Sequence, residues 1–520
     1  MRTPAEHPLA RAALLLCLSA VALTGCGLPT LENRTTSTAL APAEAALTTL
    51  GQGVATPVAA QPGKSGIYPL NNPLDAFAAR ALLAQSAERS LDVQYYIWRG
   101  DMTGTLLLEA LHDAADRGVR VRLLLDDNGT AGLDAVLASL DSHPNIEVRL
   151  FNPFVVRSPK LLGFVTDFSR VNRRMHNKSF TADNSATIVG GRNVGDEYFG
   201  ATDGVLFSDL DVLAIGQVVG EVSSDFDRYW NGASSYPLER ILPGKTVLPL
   251  AQLHADATRV ERDPAAAAYV QALQQLPFIT QLVQGKLPLE WAPTRIVSDD
   301  PLKALGKAPA EAMIGQQLKE LLGEPRENLE LVSPYFVPTA SGTEAFAEMT
   351  RRGVKVRILT NALEATDVEV VHSGYAKRRL DLLRAGVQLF EMRGEAGEPP
   401  LPPSAGPFGS SGSSLHAKTF AVDHARVFVG SFNFDPRSAN LNTELGFVID
   451  SETLARQIDT AFDTVIPQSA YEVRLSPEGK VYWLEQRDGK TFRYNTEPGS
   501  SVWQRAWLRL LAHLPIESML

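Results

Sequence analysis

The sequence predicts an α/β protein made of two duplicated lobes, each with a mixed β-sheet, packed around one shared active site. Three observations lead to this prediction. The chain has 520 residues, more than a single hydrophobic core usually supports. A strand–helix–strand pattern appears once in each half of the chain. The motif H-x-K-x-x-x-x-D also appears twice, at residues 176–183 and 416–423.

The strand–helix–strand patterns are similar in composition and in spacing. In the first half, SLDVQYYIW has the β-branched and aromatic content of a buried strand. A helical segment follows, ends at Arg117-Gly118, and leads into VRVRLLLDDNG. In the second half, NLELVSPYF precedes a helix that ends at Arg352-Gly353 and then VKVRILTNA. Each unit is typical of parallel β-α-β structure, so we infer an internal duplication with small insertions.

The N-terminus has the features of a secretory signal. An apolar run at residues 12–23 follows Arg2 and Arg11. A helix of this length rises about 18 Å, which is less than the ~30 Å core of a bilayer. The sequence LTGC then resembles the lipobox of bacterial lipoproteins, which implies cleavage before Cys26 and lipid attachment to it. The alternative is an ordinary signal peptide with a chance cysteine.

This interpretation accounts for both cysteines. Cys17 would leave with the signal peptide and Cys26 would carry lipid, so no pair is left for a disulfide and no Cys/His cluster for zinc. The resemblance implies a membrane-anchored lipoprotein that faces the periplasm. Gly27, where the sorting rule would place Asp for inner-membrane retention, favours the outer membrane.

Six segments are predicted along the chain: a signal peptide at 1–26, a flexible tether at 27–65, a first lobe at 66–240, an insert at 241–310, a second lobe at 311–468, and a β-meander with a helix at 469–520. Two interpretations remain for the C-terminal helix: docking on the body or contact with a membrane. The formal net charge of −10 provides no overall positive field, so we expect no nucleic acid partner.

The repeated motif presents an imidazole and an ammonium on one face of an extended segment, because residues i and i+2 point the same way. His176 and Lys178 form one such pair, and His416 and Lys418 form the other. Two pairs related by a pseudo-two-fold axis would surround one point, an arrangement suited to a phosphate ester. One neutral imidazole can attack phosphorus while the opposite imidazolium protonates the leaving oxygen.

Each motif continues through an apolar strand to an asparagine 17 positions after its histidine, namely Asn193 and Asn433. Lysines and asparagines would bind the equatorial oxygens of the transition state. The lysines supply the positive charge, so we expect neither a metal nor another cofactor.

These residues resemble the phospholipase D superfamily, whose motif is H-x-K-x-x-x-x-D-x-x-x-x-x-x-G-[GS]-x-N. Both copies match it throughout, and the resemblance covers residues 75–465. It implies two phospholipase D-like lobes with one active site and a phosphohistidine intermediate. It also implies that His176 is the nucleophile and His416 the general acid. The motif aspartates, Asp183 and Asp423, complete the catalytic motifs and are expected to fix the loop.

The resemblance further implies a carboxylate downstream of each asparagine that supports a histidine. In the second half this is Glu444, within NTELG. In the first half it is Asp196 or Glu197, within GDEYFG, and we favour Asp196. His372 and Tyr375 are further candidates for the substrate side.

Longer stretches, including DVQYYIW, IVGGRNVGDEYF, VFVGSFNFDPRSANLNTE and LPIESML, resemble bacterial cardiolipin synthases of the C type. That resemblance implies transfer of a phosphatidyl group to phosphatidylglycerol, with phospholipid substrates and a membrane contact through the lipid anchor. A phospholipase D-type hydrolase would have the same motifs, and a nuclease or a non-enzymatic scaffold are further alternatives. The apolar stretch at 154–168 is either an interfacial segment or a buried connection.

Overall fold

A computed structural model describes residues 27–157, 159–200, 209–244, 247–394, 415–514, 516–517 and 520. The predicted signal peptide and Cys26 lie outside the described residues. Within them the chain forms two mixed β-sheets flanked by helices, which confirms the predicted α/β duplication.

The first sheet has nine described strands in the order β8-β4-β3-β2-β5-β6-β7-β1-β9. Their bounds are β1 Ser65–Leu70, β2 Ser90–Ile97, β3 Arg120–Gly129, β4 Ile146–Phe151, β5 Ser179–Ala182, β6 Ala186–Gly190, β7 Asp211–Gly216, β8 Ser235–Pro237 and β9 Glu290–Ala292. Strands β2, β3 and β4 are parallel, and β5 pairs with β2 in the antiparallel sense.

The second sheet has ten described strands in the order β10-β16-β15-β14-β11-β12-β13-β17-β18-β19. Their bounds are β10 Thr294–Ser298, β11 Asn328–Val332, β12 Lys355–Asn361, β13 Gln388–Met392, β14 Thr419–Val422, β15 Arg426–Gly430, β16 Leu445–Asp450, β17 Ala470–Leu475, β18 Val481–Arg487 and β19 Lys490–Tyr494. Six consecutive strands, β13-β12-β11-β14-β15-β16, repeat the order and the direction of β4-β3-β2-β5-β6-β7.

Helices accompany the strands in both halves of the duplication. The α-helices of the first half and the insert are Pro42–Ala45, Thr49–Ala59, Pro73–Ser86, Met102–Asp116, Asp134–Asp141, Leu161–Thr166, Phe168–Val171, Asp196–Phe199, Gln217–Trp230, Leu238–Ile241, Leu250–Glu261, Ala267–Gln275 and Phe278–Val283. Those of the second half are Ile314–Leu322, Thr339–Arg351, Glu369–Arg384, Pro436–Asn440, Glu452–Thr464, Ile466–Ser469 and Val502–Ala512. Short 3-10 helices span Pro264–Ala266, Pro301–Leu305 and Ala310–Ala312.

The Arg-Gly pairs end the two equivalent helices. Helix Met102–Asp116 is followed by Arg117, and Gly118 then has φ of 94°. Helix Thr339–Arg351 is followed by Arg352, and Gly353 has φ of 89°. Glycine allows this left-handed turn without a Cβ clash, so the chain can enter the next parallel strand.

The two lobes pack together through the strands that follow the motifs. Strands β6 and β7 contact β15 and β16. One hydrophobic cluster therefore draws on both sheets and includes Val189, Val212, Ala214, Val427, Val429 and Phe447. The shared core holds the ends of β6 and β15 near each other, which brings the two motif segments together.

The flexible tether predicted at 27–65 is wrong for the described structure. Helix Thr49–Ala59 is capped by the Thr48 side chain and buries Leu50 and Val54 against the first lobe. Upstream, Arg34 donates hydrogen bonds of 2.8 Å to the carbonyl oxygens of Gly232 and Ser235. The Ala-, Thr- and Gly-rich composition concealed an apolar i, i+4 pair, which is sufficient to dock one short helix.

The segment at 241–310 is divided between the lobes. Its helices pack on helices of the first lobe, and β9 adds to β1. Strand β10 instead pairs with β16 of the second sheet, so the chain crosses between sheets at Pro293. After the second lobe, β17 extends the sheet beside β13, and β18 and β19 continue it as an antiparallel meander. None of the described helices has the length and apolarity to cross a membrane.

Candidate active site

Both motifs occupy equivalent places in the sheets. His176 and Lys178 come immediately before β5, and His416 and Lys418 come immediately before β14. Strands β6 and β15 then return the chain towards Asn193 and Asn433. A backbone bridge between Met175 and Thr443 connects the first motif directly to the second lobe.

The structure brings both histidines to one cavity between the lobes. The polar part of its lining includes His176, His416, Lys418, Asn193 and Asn433. The apolar part includes Ile97, Val368, Val370, Val371 and Leu520. A single cavity is thus lined by two imidazoles, an ammonium and several aliphatic side chains.

The protonation of His176 is set by its neighbours. Its Nδ1 lies 3.1 Å from the carbonyl oxygen of Ser431 and 2.8 Å from Oε2 of Glu444. Because a carbonyl oxygen only accepts, Nδ1 carries the hydrogen and donates it. The lone pair is then on Nε2, the nitrogen that a nucleophilic imidazole needs.

His416 has the reciprocal arrangement. Its Nδ1 lies 2.7 Å from Oδ2 of Asp209, a residue of the first lobe. Glu444, which belongs to the second lobe, contacts the histidine of the first. Each lobe therefore provides the carboxylate for the histidine of the other lobe.

The prediction that Asp196 supports a catalytic histidine is wrong. Its carboxylate accepts a hydrogen bond of 2.8 Å from the backbone N–H of Thr103, and its own N–H donates to Asp101. Glu197, the alternative, pairs with Arg99. The short helix after Asn193 directs both carboxylates towards helix Met102–Asp116 rather than into the cavity.

A signal for Asp209 was present in the sequence. Asp209-Leu210 precedes β7, just as Glu444-Leu445 enters β16. β7 and β16 are equivalent strands, so these two acids are the duplicated pair. The first lobe carries a longer connection between asparagine and acid, which hides the match.

The choice of glycine or serine in the motif follows from the same carboxylates. A Cβ on Gly191 would lie 2.2 Å from Oδ1 of Asp209, so the carboxylate leaves no room for a side chain. Ser431 occupies the equivalent position, and its hydroxyl donates a 2.5 Å hydrogen bond to Glu444. The first motif thus makes room for Asp209 with a glycine, whereas the second motif provides a serine hydroxyl that donates to Glu444.

Burial and charge favour the neutral form of both imidazoles. Burial lowers the pKa of His176 well below its usual range, and Lys178 and Lys418 lower it further. Burial and Lys418 also lower the pKa of His416, to about 4, although Asp209 opposes this. A neutral imidazole is the form that a nucleophile needs.

The supporting acids differ from each other. Burial alone would raise the pKa of Asp209, but His416 and Arg192 outweigh it and lower the pKa to about 2. Burial raises the pKa of Glu444 to about 7, even though Lys178 opposes the shift. Asp209 is thus ionised throughout the neutral range, whereas Glu444 titrates within it.

The lysines and asparagines are held close to the histidines. Nζ of each motif lysine donates to the carbonyl oxygen of its own motif histidine. Asn193 accepts from the backbone N–H of Ile97 and donates to the hydroxyl of Tyr198. Asn433 is 4% exposed, and its side-chain oxygen has no hydrogen-bond partner among the described residues. That oxygen can accept from a hydroxyl group of a ligand, whereas Nδ2 of the same amide is the group that can donate to a phosphate oxygen.

The motif aspartates lie away from the cavity and hold the chain beside it. Asp183 accepts from the backbone N–H groups of Glu88, Arg89 and Ser90, just before β2. Asp423 accepts from Arg326, Glu327 and Asn328, just before β11. Asp183 and Asp423 occur at φ of 49° and 53°, in equivalent tight turns.

The family model described as "Cardiolipin synthase, PLD-like domain" matches residues 82–230 and 318–466. Cardiolipin synthase C of Escherichia coli strain K12 is 51% identical over 465 residues, covering 88% of this chain and 97% of the relative. The chain belongs to the phospholipase D superfamily. Within this superfamily, the enzyme is similar to cardiolipin synthases.

Two further proteins are similar to this chain. An uncharacterized protein of Helicobacter pylori strain J99 is 31% identical over 475 residues, covering 89% of this chain and 92% of that protein. The crystal structure of phosphatidylserine synthase from Haemophilus influenzae Rd KW20 aligns with a TM-score of 0.57, covering 91% of this chain and 100% of that one. At 13% identity, that second likeness concerns the fold alone.

Two aromatic side chains of the phospholipase D-like site were not foreseen from the sequence. The ring of Tyr96 meets His176 edge-on with centroids 5.0 Å apart. The ring of Tyr198 meets His416 in the same way at 5.2 Å. Both tyrosines come from the first lobe and line the cavity. They restrict how the imidazoles can rotate, which preorganises the site.

The predicted substrate-side residues His372 and Tyr375 do not line the cavity. Nε2 of His372 lies 2.9 Å from Oε1 of Glu497, and Tyr375 donates to Glu391. Both are buried behind the valines that begin helix Glu369–Arg384. Polar character suggested a ligand, but internal partners satisfy both side chains.

One group of described residues has the spacing of metal ligands: Glu109, His112 and Asp113 on helix Met102–Asp116. The three ligand atoms lie within 4.8 Å of one another. None of them lines the cavity of the two histidines, and Glu109 already contacts Nδ1 of His254 at 2.5 Å.

Proposed function

We propose that this enzyme transfers a phosphatidyl group, through a phosphohistidine, to phosphatidylglycerol and so makes cardiolipin. The observation that carries the proposal is the pair of reciprocal contacts, His176–Glu444 and His416–Asp209, on one cavity. Two oriented imidazoles can serve one phosphorus atom from opposite sides. The name of the Escherichia coli relative, cardiolipin synthase C, supports the choice of reaction.

In the first step, Nε2 of His176 attacks phosphorus and forms a nitrogen–phosphorus bond. The bond from phosphorus to the headgroup oxygen of the donor breaks, and the imidazolium of His416 gives that oxygen its proton. Burial and Lys418 lower the pKa of His416 to about 4. An anionic phosphodiester raises it by offsetting the charge of Lys178 and Lys418, so the acid forms where substrate is bound.

In the second step, neutral His416 takes the proton from a hydroxyl group of phosphatidylglycerol. The freed oxygen attacks phosphorus, the nitrogen–phosphorus bond breaks, and His176 returns to its starting form. The lysines and Asn433 stabilise the charge on the equatorial oxygens in both steps. Protons and bonds balance over the cycle without a further reactant.

The composition of the cavity favours a lipid. Val368, Val370, Val371 and Leu520 provide an aliphatic wall in the same cavity as the imidazoles. An acyl chain or glycerol backbone can lie against such a wall, and the wall also keeps water from the phosphohistidine. Exclusion of water selects the lipid alcohol over hydrolysis.

The second candidate is a phospholipase D-type hydrolase, because water can open the same intermediate. Purified enzyme given radiolabelled phosphatidylglycerol separates the two. Labelled cardiolipin with released glycerol supports the transferase, whereas phosphatidic acid without cardiolipin supports the hydrolase. His176→Ala is the control for a contaminating activity. A nuclease is disfavoured by the net charge of −10, and cleavage of plasmid DNA lost in His176→Ala would revive it.

We also propose that Cys26 carries lipid and anchors the chain at the periplasmic face of a membrane. The support is the LTGC sequence after an apolar run that is too short to span a bilayer. Labelling of cells with radioactive palmitate should mark the wild-type chain and leave Cys26→Ala unlabelled. Label in Cys26→Ala would contradict the proposal, and membrane fractionation identifies which membrane holds the chain.

A further inference from the structure

The C-terminal helix Val502–Ala512 has one apolar side buried and another exposed. Leu508 and Leu511 are buried, and the helix packs against helix Glu369–Arg384. Trp503, Trp507 and Leu510 are 84%, 50% and 56% exposed. These three residues follow the spacing i, i+4 and i+7, so they form one stripe along the helix, and exposed Leu514 follows shortly after the helix ends. We call this stripe the tryptophan face.

The character of the tryptophan face identifies what can cover it. The helix has no acidic residue, and Arg509 is exposed to solvent, whereas Arg505 is half-buried and donates to the carbonyl oxygen of Ser500. Tryptophan favours the headgroup level of a bilayer, and an exposed arginine on the same helix attracts anionic lipid. The chain as a whole has a net charge of −10, so attraction to an anionic surface must come from such a local region.

The helix is also connected to the wall of the cavity. It packs on helix Glu369–Arg384, which begins beside the valines that line the cavity. After the C-terminal helix, Glu517 pairs with Arg378 of helix Glu369–Arg384. The carbonyl oxygen of Leu520 accepts from the N–H of Arg437. Leu520 and Arg437 both line the cavity. The segment therefore runs from the tryptophan face to the active site.

The first lobe has a second exposed apolar patch, and the chain leads from it to a residue that contacts the cavity wall. Leu161, Leu162 and Val165 of helix Leu161–Thr166 are 61%, 47% and 80% exposed. The chain continues to Asn172, whose Oδ1 accepts a 2.8 Å hydrogen bond from Arg437 of the cavity wall. Phe154, at the start of the segment 154–168, is buried, so the interfacial alternative concerns only the exposed residues from Leu161 onwards.

We propose that the tryptophan face docks on the surface of an anionic phospholipid bilayer and directs the cavity towards its lipid substrate. This inference rests on the proposed lipid function. It adds a named surface, distinct from the predicted anchor at Cys26. Burial of one large apolar side chain is worth about 1.5–3 kcal/mol, so each tryptophan strengthens docking about tenfold or more.

The test uses the full chain reconstituted in vesicles of phosphatidylglycerol and phosphatidylcholine with brominated acyl chains. Quenching of each variant is read on the protein that co-sediments with the vesicles, so it reports which tryptophans of the bound chain enter the bilayer. Trp98, Trp230 and Trp483 are buried, and Trp291 is half-buried. We expect quenching of wild-type fluorescence, loss of that quenching in Trp503→Phe/Trp507→Phe, and retention in the control Trp291→Phe.

A second experiment, an activity assay, distinguishes failure of bilayer docking from failure of the proposed function. Trp503→Ser/Trp507→Ser should lose about tenfold or more of its activity on vesicles. On the same lipid in detergent micelles it should match wild type, which also shows that it folds. If the wild-type enzyme were inactive on both vesicles and micelles, the proposed function would be wrong, and the quenching result would still test bilayer docking. Unchanged quenching in the Phe variant, or a wild-type dimer that the Ser variant dissociates, would overturn bilayer docking.

Discussion

The carboxylate of Asp209 lies 2.7 Å from Nδ1 of His416, although the first residue belongs to one lobe and the second to the other. The contact from Glu444 to His176 runs in the opposite direction. Neither histidine has its carboxylate within its own lobe. The duplication therefore produces a site that exists only when the lobes are joined.

Asp209→Asn should reduce kcat strongly. The ionised carboxylate raises the basicity of His416 and orients its ring, and an amide does neither as well. We expect a loss of about 10²–10⁴-fold in kcat, the range for a general acid. Steady-state transfer assays with phosphatidylglycerol measure it, with the melting temperature as a check on folding.

Asp196→Asn is the matched control, because Asp196 lies near Asn193 in sequence and accepts only from the backbone of the first lobe. It should keep kcat within about threefold of wild type, because its amide oxygen can still accept. A larger loss in Asp196→Asn than in Asp209→Asn would contradict the assignment of these acids.

The two histidines should respond differently to the leaving group. p-Nitrophenol leaves without a proton, so a p-nitrophenyl phosphatidyl ester bypasses the general acid. We expect His416→Ala to recover about 10²-fold or more of its lost activity on this ester, the size of a general-acid contribution. His176→Ala should stay inactive because it lacks the nucleophile. The rate of p-nitrophenolate release measures both, and rescue of His176→Ala alone would reverse the roles.

The pH dependence of kcat/KM should be bell-shaped. The pKa of Glu444 is about 7, so below that pH its carboxyl is protonated and no longer supplies the negative charge beside Nδ1 of His176. The pKa of Lys418 is about 8, so above that pH its ammonium charge is lost. Glu444→Gln should lower kcat/KM and remove the acid limb, because the amide carries no charge and does not titrate. An acid limb that stays unchanged in Glu444→Gln would exclude this carboxyl as its source.

Asp183→Ala should affect stability more than chemistry. Three backbone N–H groups lose their acceptor, and we expect a loss of about 1–3 kcal/mol in the free energy of unfolding. Asp423→Ala should behave similarly, because its contacts are equivalent. Urea denaturation provides the comparison, and kcat of the folded enzyme should stay within a few-fold. Loss of kcat without loss of stability would make these aspartates chemical participants.

The sequence allowed the duplicated architecture to be predicted because local signals repeat. Strand composition, the Arg-Gly helix ends and the two motifs recur at nearly constant separation. The sheet order β13-β12-β11-β14-β15-β16 matches its first-lobe counterpart for the same reason. Features that repeat along the chain can be recognised from the sequence alone.

Contacts between the lobes could not be predicted in this way. Asp196 was favoured because it is near Asn193 in sequence, but the supporting acid comes from Asp209 across the lobe boundary. His372 is polar and close to the valines of the cavity, but Glu497 binds it from the C-terminal segment. The position of Asp209 before β7 matches that of Glu444, but which histidine each acid contacts is decided by packing between distant parts of the chain.

A crystal structure with orthovanadate tests the central claim most directly, because vanadate imitates the trigonal-bipyramidal transition state. The account predicts vanadium bonded to Nε2 of His176, with His416 within hydrogen-bond reach of the opposite axial oxygen. Both lysines should face the equatorial oxygens. Vanadate bound by the residues of one motif, with the other histidine out of reach, would contradict a shared site.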